Sequence, residues 1–121
     1  MKDAIARFAQ AKDKLAEVTL YIGGLGMGGD RVYPALIAVP YLYLFGDVVL
    51  AYLLLWQAVI AQEKLEALGR KPKEDPEAAY YSGKVMSARF FVHNILPQVF
   101  SLADGILSGD RSALEIAEEA F

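Results

Sequence analysis

The 121-residue chain has no cysteine, one histidine and one tryptophan. Without cysteine neither a disulfide framework nor a thiolate metal site can form. A single histidine leaves any metal site to carboxylates, and the sequence clusters none. An excess of positive charge is also missing: twelve Lys and Arg against fifteen Asp and Glu give a net charge of −3, which argues against a nucleic-acid surface. The opening MKDAIARFAQAKDKL interleaves charged and apolar residues, so it lacks a signal-peptide core and secretion is not expected. There is no internal repeat, low-complexity tail or linker. What the chain does have is apolar residues, 55% of the total, enough to fill one sizeable core.

Two spacings invite a nucleotide-binding reading. Gly24, Gly26 and Gly29 stand in GxGxxG spacing, with Asp47 eighteen residues beyond, and Tyr80 and Lys84 form a YxxxK pair. A dinucleotide fingerprint needs a strand, a glycine turn, a helix and a second parallel strand carrying the acidic residue. The surrounding residues have helical period instead. Leu44, Val48, Ala51, Leu55, Ala58, Gln62 and Leu65 step by four and three through the segment that holds Asp47. Tyr81, Val85, Ala88, Val92, Ile95, Val99, Leu102 and Ile106 do the same around the YxxxK pair. A Tyr and a Lys four apart are neighbours on any helix, so the pair carries little information. His93 beside this stripe reads as a partly buried, hydrogen-bonded side chain. A third stripe runs through Ile5, Phe8, Leu15, Thr19, Ile22 and Gly26, broken only by Lys12.

The punctuation fits helices. GGLGMGGD reads as an interhelical hinge, with Asp30 placed to cap the following helix. GRKPKEDPE, residues 69 to 77, reads as an exposed turn after Gly69. Pro97 predicts a bend that frees a carbonyl near His93. Gly109 reads as a stop, with Ser112 and Glu115 in capping-box spacing for a short last helix. The expected fold is all-α: an antiparallel up-and-down bundle of three long helices plus a short C-terminal helix packed against it, residues 1–121 forming a single helical domain. From Val32 to Ala61 the only charge is Asp47. That run is long enough to cross a bilayer, at roughly 20 residues per span. A small membrane-associated helical protein is therefore the alternative to a soluble bundle with an apolar central helix. Antiparallel levels put Asp47 near Gln98 and Ser101 on one side or Lys12 on the other, and a hydrogen bond or ion pair to one of these is expected.

The blocks FGDVVLAYLLLWQAVIAQEKL, AAYYSGKVMSARFFVHNILPQV and ALEIAEEAF, in that order, resemble the extra C-terminal domain of a bacterial acyl-CoA dehydrogenase subfamily. Its members act on acetyl-CoA-like, phenylacyl-CoA-like and methylmercaptopropionyl-CoA substrates. The resemblance covers roughly residues 31 to 121 and is most specific at Gly46, Tyr81, Lys84, Ala88, Arg89, Phe90, Phe91, Leu96 and Pro97. It implies a larger parent flavoenzyme that removes hydrogens from Cα and Cβ of an acyl-CoA thioester and passes electrons from FAD to an electron-transfer flavoprotein. This chain would be the excised accessory domain: no catalytic, cofactor-binding or metal-binding residue is expected in it. Its expected partners are the parent's own catalytic domains and further subunits of a homo-oligomer, in the cytoplasm. Asp47, Lys84, Arg89 and Phe90 are the candidate docking or structural residues. Lys84 and Arg89 flank the stripe of Val85, Ala88 and Val92, and Arg and aromatic side chains are the types that anchor such contacts.

Overall fold

A computed structural model describes all 121 residues. Every regular element is helical: α1 (Lys2–Met27), α2 (Val32–Leu36), α3 (Ala38–Leu68), α4 (Pro76–Phe90), a π-helical turn (Phe91–Ile95), α5 (Gln98–Leu107), α6 (Ser112–Glu115) and a terminal 3₁₀ turn (Glu118–Ala120). The long rods are α1, α3 and the composite of α4, the π turn and α5. They pack around one core of Leu44, Val48, Leu55, Val92, Leu96, Val99, Ile106 and smaller residues. This is the three-helix bundle that the stripes predict. Alanines at 4, 11, 51, 58, 88 and 103 are buried along the seams, which lets the helices approach closely while the larger side chains interdigitate.

The chain stops are chemically explicit. α1 runs through Gly23, Gly24 and Gly26 and ends only at Gly28, so the helix claims more of the glycine cluster than a hinge at 23–30 would leave it. Gly29 has φ +89, Gly29 N–H donates to Gly26 O, and Asp30 N–H donates to Leu25 O. That is the Schellman ending, in which a left-handed glycine satisfies the last carbonyls. Asp30 then accepts from the N–H groups of Val32 and Tyr33, as its capping position predicts. Gly69 ends α3 in the left-handed region at φ 63. Asp75 caps α4 by accepting from Glu77 and Ala78 N–H, with Pro76 in the first helical position. At the far end the buried Tyr33 hydroxyl donates to the Ile106 carbonyl, tying α2 to α5. Thr19 and Tyr41 share a 2.8 Å hydrogen bond across α1 and α3.

Five expectations need correction. The buried face of α1 is Ala4, Ala11 and Val18 with Phe8, Leu15, Ile22 and Leu25 beside it, while Ile5 and Thr19 point outward. Lys12 breaks no stripe, because it was never on the inner face. In the third rod, Leu96 and Ala103 replace Ile95 and Leu102 as fully buried residues. Pro97 has no N–H to return to the His93 carbonyl, and Leu96 N–H reaches back five residues to Phe91 O at 2.9 Å. The π turn inserts one residue and so rotates everything beyond it. Ser112 and Glu115 form no capping box: Ser112 is already helical and its hydroxyl donates to Asp110. The C-terminal helix is a single turn with no buried residue, so it does not pack into the core. Finally, α3 is not enclosed. Its buried residues, Leu44, Val48, Ala51, Leu55, Ala58 and Ala61, occupy one side alone.

Gly69 and Gly109 both have φ above +60, but a Cβ at Gly69 would meet nothing, whereas one at Gly109 would lie 2.9 Å from the Tyr21 hydroxyl oxygen. Gly69→Ala is therefore expected to cost about 1–2 kcal/mol, the left-handed penalty alone. Gly109→Ala should cost more, because Tyr21 must also shift. In urea denaturation, adding Tyr21→Phe to Gly109→Ala should recover only the excess; equal losses for the two alanine variants would refute the contact with Tyr21.

Candidate docking surface

The side of α3 turned away from the core carries a second apolar stripe. Leu42, Phe45, Val49, Leu53, Trp56 and Ile60 step by three and four, as the buried stripe does, yet each is exposed, from 40% at Val49 to 67% at Leu42. Val39, Tyr43, Leu50 and Tyr52 flank it, also exposed. The stripe contains no charge. Monomeric proteins rarely expose contiguous apolar patches larger than a few hundred Å², and this one amounts to on the order of 1,000 Å², comparable with the roughly 800 Å² that one partner contributes to a standard interface. At its α1 edge it deepens into a cleft of about 280 Å³ lined wholly by apolar residues: Ile5, Phe8, Tyr52, Leu55, Trp56 and Val59. Phe8, Tyr52 and Trp56 follow one another at ring spacings of 6.2 and 6.0 Å. Such a cleft can receive a bulky apolar side chain from a partner, the geometry of a buried anchor.

The four sequence candidates fall at four different places. Asp47, half-buried at the edge of the stripe, accepts a 2.5 Å hydrogen bond from Gln98 of α5, one of the partners its level predicts. Lys12 pairs with Asp13 instead. Lys84 sits at the α3–α4 seam and donates to Gln57 Oε1 at 3.3 Å. Arg89 sits at the α1–α4 seam, where its Nη2 lies 3.3 Å from Asp3 Oδ2. His93 Nε2 lies 3.2 Å from the same oxygen, so α1 supplies the carboxylate that is absent near His93 in sequence. Phe90 projects from α4 with 61% of its surface exposed. The structure thus joins Arg89, His93 and Asp3 into one cluster and leaves Phe90 and Lys84 outside it. In the sequence α3 reads as an apolar helix at the centre of the bundle, so its outer side was expected to be covered; the three-and-four spacing from Leu42 to Ile60 was present to be found.

The electrostatics sit at the rims. Asp3 lies below its ordinary value, first because the Ala4 N–H bonds it, then through Arg89 and the amino terminus, with desolvation opposing. Asp30 is lowered by the Arg111 guanidinium at 2.7 Å, then by the Tyr33 N–H, again against desolvation. Asp75 is lowered by Arg70 and then by the Glu77 N–H that it caps. No three His, Asp or Glu side chains gather in a group fit for a metal ion.

The residues match the family of acetyl-CoA dehydrogenase C-terminal-like domains over positions 1–117, which brings the first helix within a resemblance first traced from residue 31. A butyryl-CoA dehydrogenase of Syntrophomonas wolfei is 41% identical over 69 residues, covering 57% of this chain and 11% of that protein. A second butyryl-CoA dehydrogenase of the same organism is 34% identical over 74 residues, 61% of this chain and 12% of the relative. The broad-specificity linear acyl-CoA dehydrogenase FadE5 of Mycobacterium tuberculosis is 34% identical over 84 residues, 69% of this chain and 13% of the relative. The matched segments span little more than a tenth of these relatives.

All three aspartates have folded-state values below the ordinary 3.8. A depressed carboxylate stabilises the fold fully above its unfolded value, and that contribution is lost as pH falls through the folded one. Thermal unfolding should therefore be insensitive to these groups above about pH 5 and move to lower temperature below pH 3.8. Arg111→Ala and Arg70→Ala should each flatten that acid limb, and unchanged acid limbs in both variants would contradict the assignment.

Proposed function

This chain belongs to the acetyl-CoA dehydrogenase C-terminal-like family, and from that premise we propose that it is the accessory helical domain of a larger flavoenzyme. It packs on the catalytic portion through the outer stripe of α3 and supports the subunit arrangement. The observation that carries the reading is the uncharged stripe from Leu42 to Ile60 ending in the Phe8–Trp56 cleft. A soluble bundle does not keep such a surface in water without a partner. The names of the relatives, butyryl-CoA and linear acyl-CoA dehydrogenases, supply the parent activity in this proposal: oxidation of an acyl-CoA thioester to the 2,3-enoyl-CoA. FAD would be held by parts of the parent outside this chain and would supply the two-electron oxidation there, with an electron-transfer flavoprotein as the proposed electron acceptor. The chain's clefts, at most about 280 Å³ and open, do not enclose a flavin, and no residue here is assigned to hold it or to take the proton. A cytoplasmic location for that parent is part of the proposal.

The alternative occupant of the stripe is a bilayer. α3 and the α4–α5 rod are both long and apolar enough to cross one, and only a third of the apolar window of α3 is buried. The family match accounts for the same surface without a membrane.

In the proposed parent, Leu53→Lys and Trp56→Lys are expected to weaken subunit association and flavin retention. In the isolated chain they should change stability by only about 1 kcal/mol or less, since both side chains lie on the exposed face, Trp56 at 59% and Leu53 at 41%. Phe90→Ala tests a secondary contact, because Phe90 is exposed, whereas Arg89 is already engaged by Asp3. Intact assembly of both lysine variants, or co-sedimentation of the unmodified chain with phosphatidylcholine vesicles that either variant abolishes, would overturn the docking reading.

A further inference from the structure

The YxxxK pair at Tyr80 and Lys84 lines a surface groove between α3 and α4, about 280 Å³ in volume. Gln57, Ile60, Ala61 and Lys64 come from α3, and Tyr80, Tyr81 and Lys84 from α4. Lys64 Nζ stands 5.8 Å from the Tyr81 ring centre, and Lys84 Nζ stands 5.5 Å from that of Tyr80. Neither ammonium has a carboxylate within ion-pair distance, as is also true of Lys2, Arg7, Arg31, Lys71 and Lys73, and Lys84 Nζ donates to Gln57 Oε1 at 3.3 Å. The carboxylate nearest the groove, Glu77, accepts from the Tyr81 hydroxyl at 3.3 Å. Ala61, nearly inaccessible to solvent, makes an apolar floor, and the two tyrosine rings pack edge to face 5.5 Å apart.

We infer that this groove binds a phosphate group attached to a planar ring, the chemistry of a nucleoside monophosphate. Two ammonium groups offer up to six N–H donors with no resident anion, and phosphate is the small anion with the charge and acceptor oxygens to use donors on both walls. The competing account is that each lysine is satisfied by its tyrosine. An exposed cation–π contact contributes only about 0.5–1 kcal/mol, which leaves Lys64, and the N–H donors of Lys84 that Gln57 does not take, to engage a doubly charged anion. The apolar floor and the tyrosine faces suit a flat ring, which inorganic phosphate lacks. The groove shares Ile60 with the end of the docking stripe, but the inference does not rest on the docking reading.

The test is an NMR amide-shift titration of the 121-residue chain with adenosine 5′-monophosphate, ribose 5-phosphate, inorganic phosphate and adenosine. The monophosphate should shift Ile60, Ala61, Tyr81 and Lys84 and bind more tightly than the other three probes. Ribose 5-phosphate and inorganic phosphate separate the anion's contribution from the ring's. Lys64→Gln and Lys84→Gln should each weaken binding about 2- to 5-fold, the range of an exposed ion pair. Lys→Arg at both positions should preserve it, and added salt should weaken it. Both glutamine positions are surface residues, and a circular dichroism melt checks that the variants fold. Absence of groove-localised shifts, adenosine binding as tightly as its monophosphate, or full affinity in the folded double glutamine variant would each overturn the inference.

Discussion

A three-helix bundle can cover only part of each helix, and α3 is apolar almost all round. Ala38 to Ala61 contains one charged residue, while the neighbouring rods bury a single side, from Leu44 to Ala61. The remaining circumference must either meet water or meet something else. Most of the structure follows from that shortfall. The buried stripe is narrow and rich in alanine, so α1 and the α4–α5 rod lie close against α3 and gain cohesion by proximity. The outer stripe keeps its bulk, with Phe45, Tyr52 and Trp56 standing where a fourth layer would lie. Asp47, the one charge in the run, leaves the stripe sideways to reach Gln98.

The π turn decides which residues of the third rod face that arrangement. A proline in mid-helix removes one donor and crowds the carbonyl four residues before it. Here the chain absorbs the defect by widening the preceding turn, and the Asn94 amide donates to the Phe90 carbonyl at 3.0 Å. Beyond it the inner face is Leu96, Val99, Ala103 and Ile106. Arg89 before it and His93 within it converge on Asp3, while Phe90 turns outward. One local sequence feature thus sets both the core register and the division between an intrachain tie and an exposed aromatic.

The elements that were legible in the sequence are those whose chemistry is local. Left-handed glycines at 69 and 109, the Asp30 cap and the helix irregularity ahead of Pro97 depend on a few adjacent residues, and each stands where the sequence puts it. The errors come from reading hydrophobicity as burial. On α1 the innermost residues are Ala4, Ala11 and Val18, and alanine gives a weak apolar signal beside Ile5 and Phe8. On the third rod the stripe was extended at a constant period through a π turn, which no period of 3.6 can represent. The short α2 was missed because Pro34 and Pro40 lie in a run that looks continuous in hydropathy, whereas Ile37 breaks the helix at φ −98, ψ 11. The partners of Arg89 and His93 depend on a contact across 86 and 90 positions, which no local pattern encodes.

Stability and recognition are consequently assigned to different atoms. The bundle is held by small buried side chains, by caps and by ion pairs at its rims, Arg70–Asp75 at one turn and Arg111–Asp30 near the other end. The outer stripe contributes less to that set, because 40–67% of each side chain's surface meets solvent. An uncharged surface offers a partner little electrostatic steering. Its affinity must come from apolar area and from filling the Phe8–Trp56 cleft, with hydrophobic burial returning about 25 cal/mol per Å² before the entropic costs of association. Those costs are smallest when the partner is tethered, since a covalent link makes docking an intramolecular step with a high effective concentration. A broad, shallow, uncharged face is poorly suited to capturing a dilute free partner and well suited to settling against a domain on the same chain.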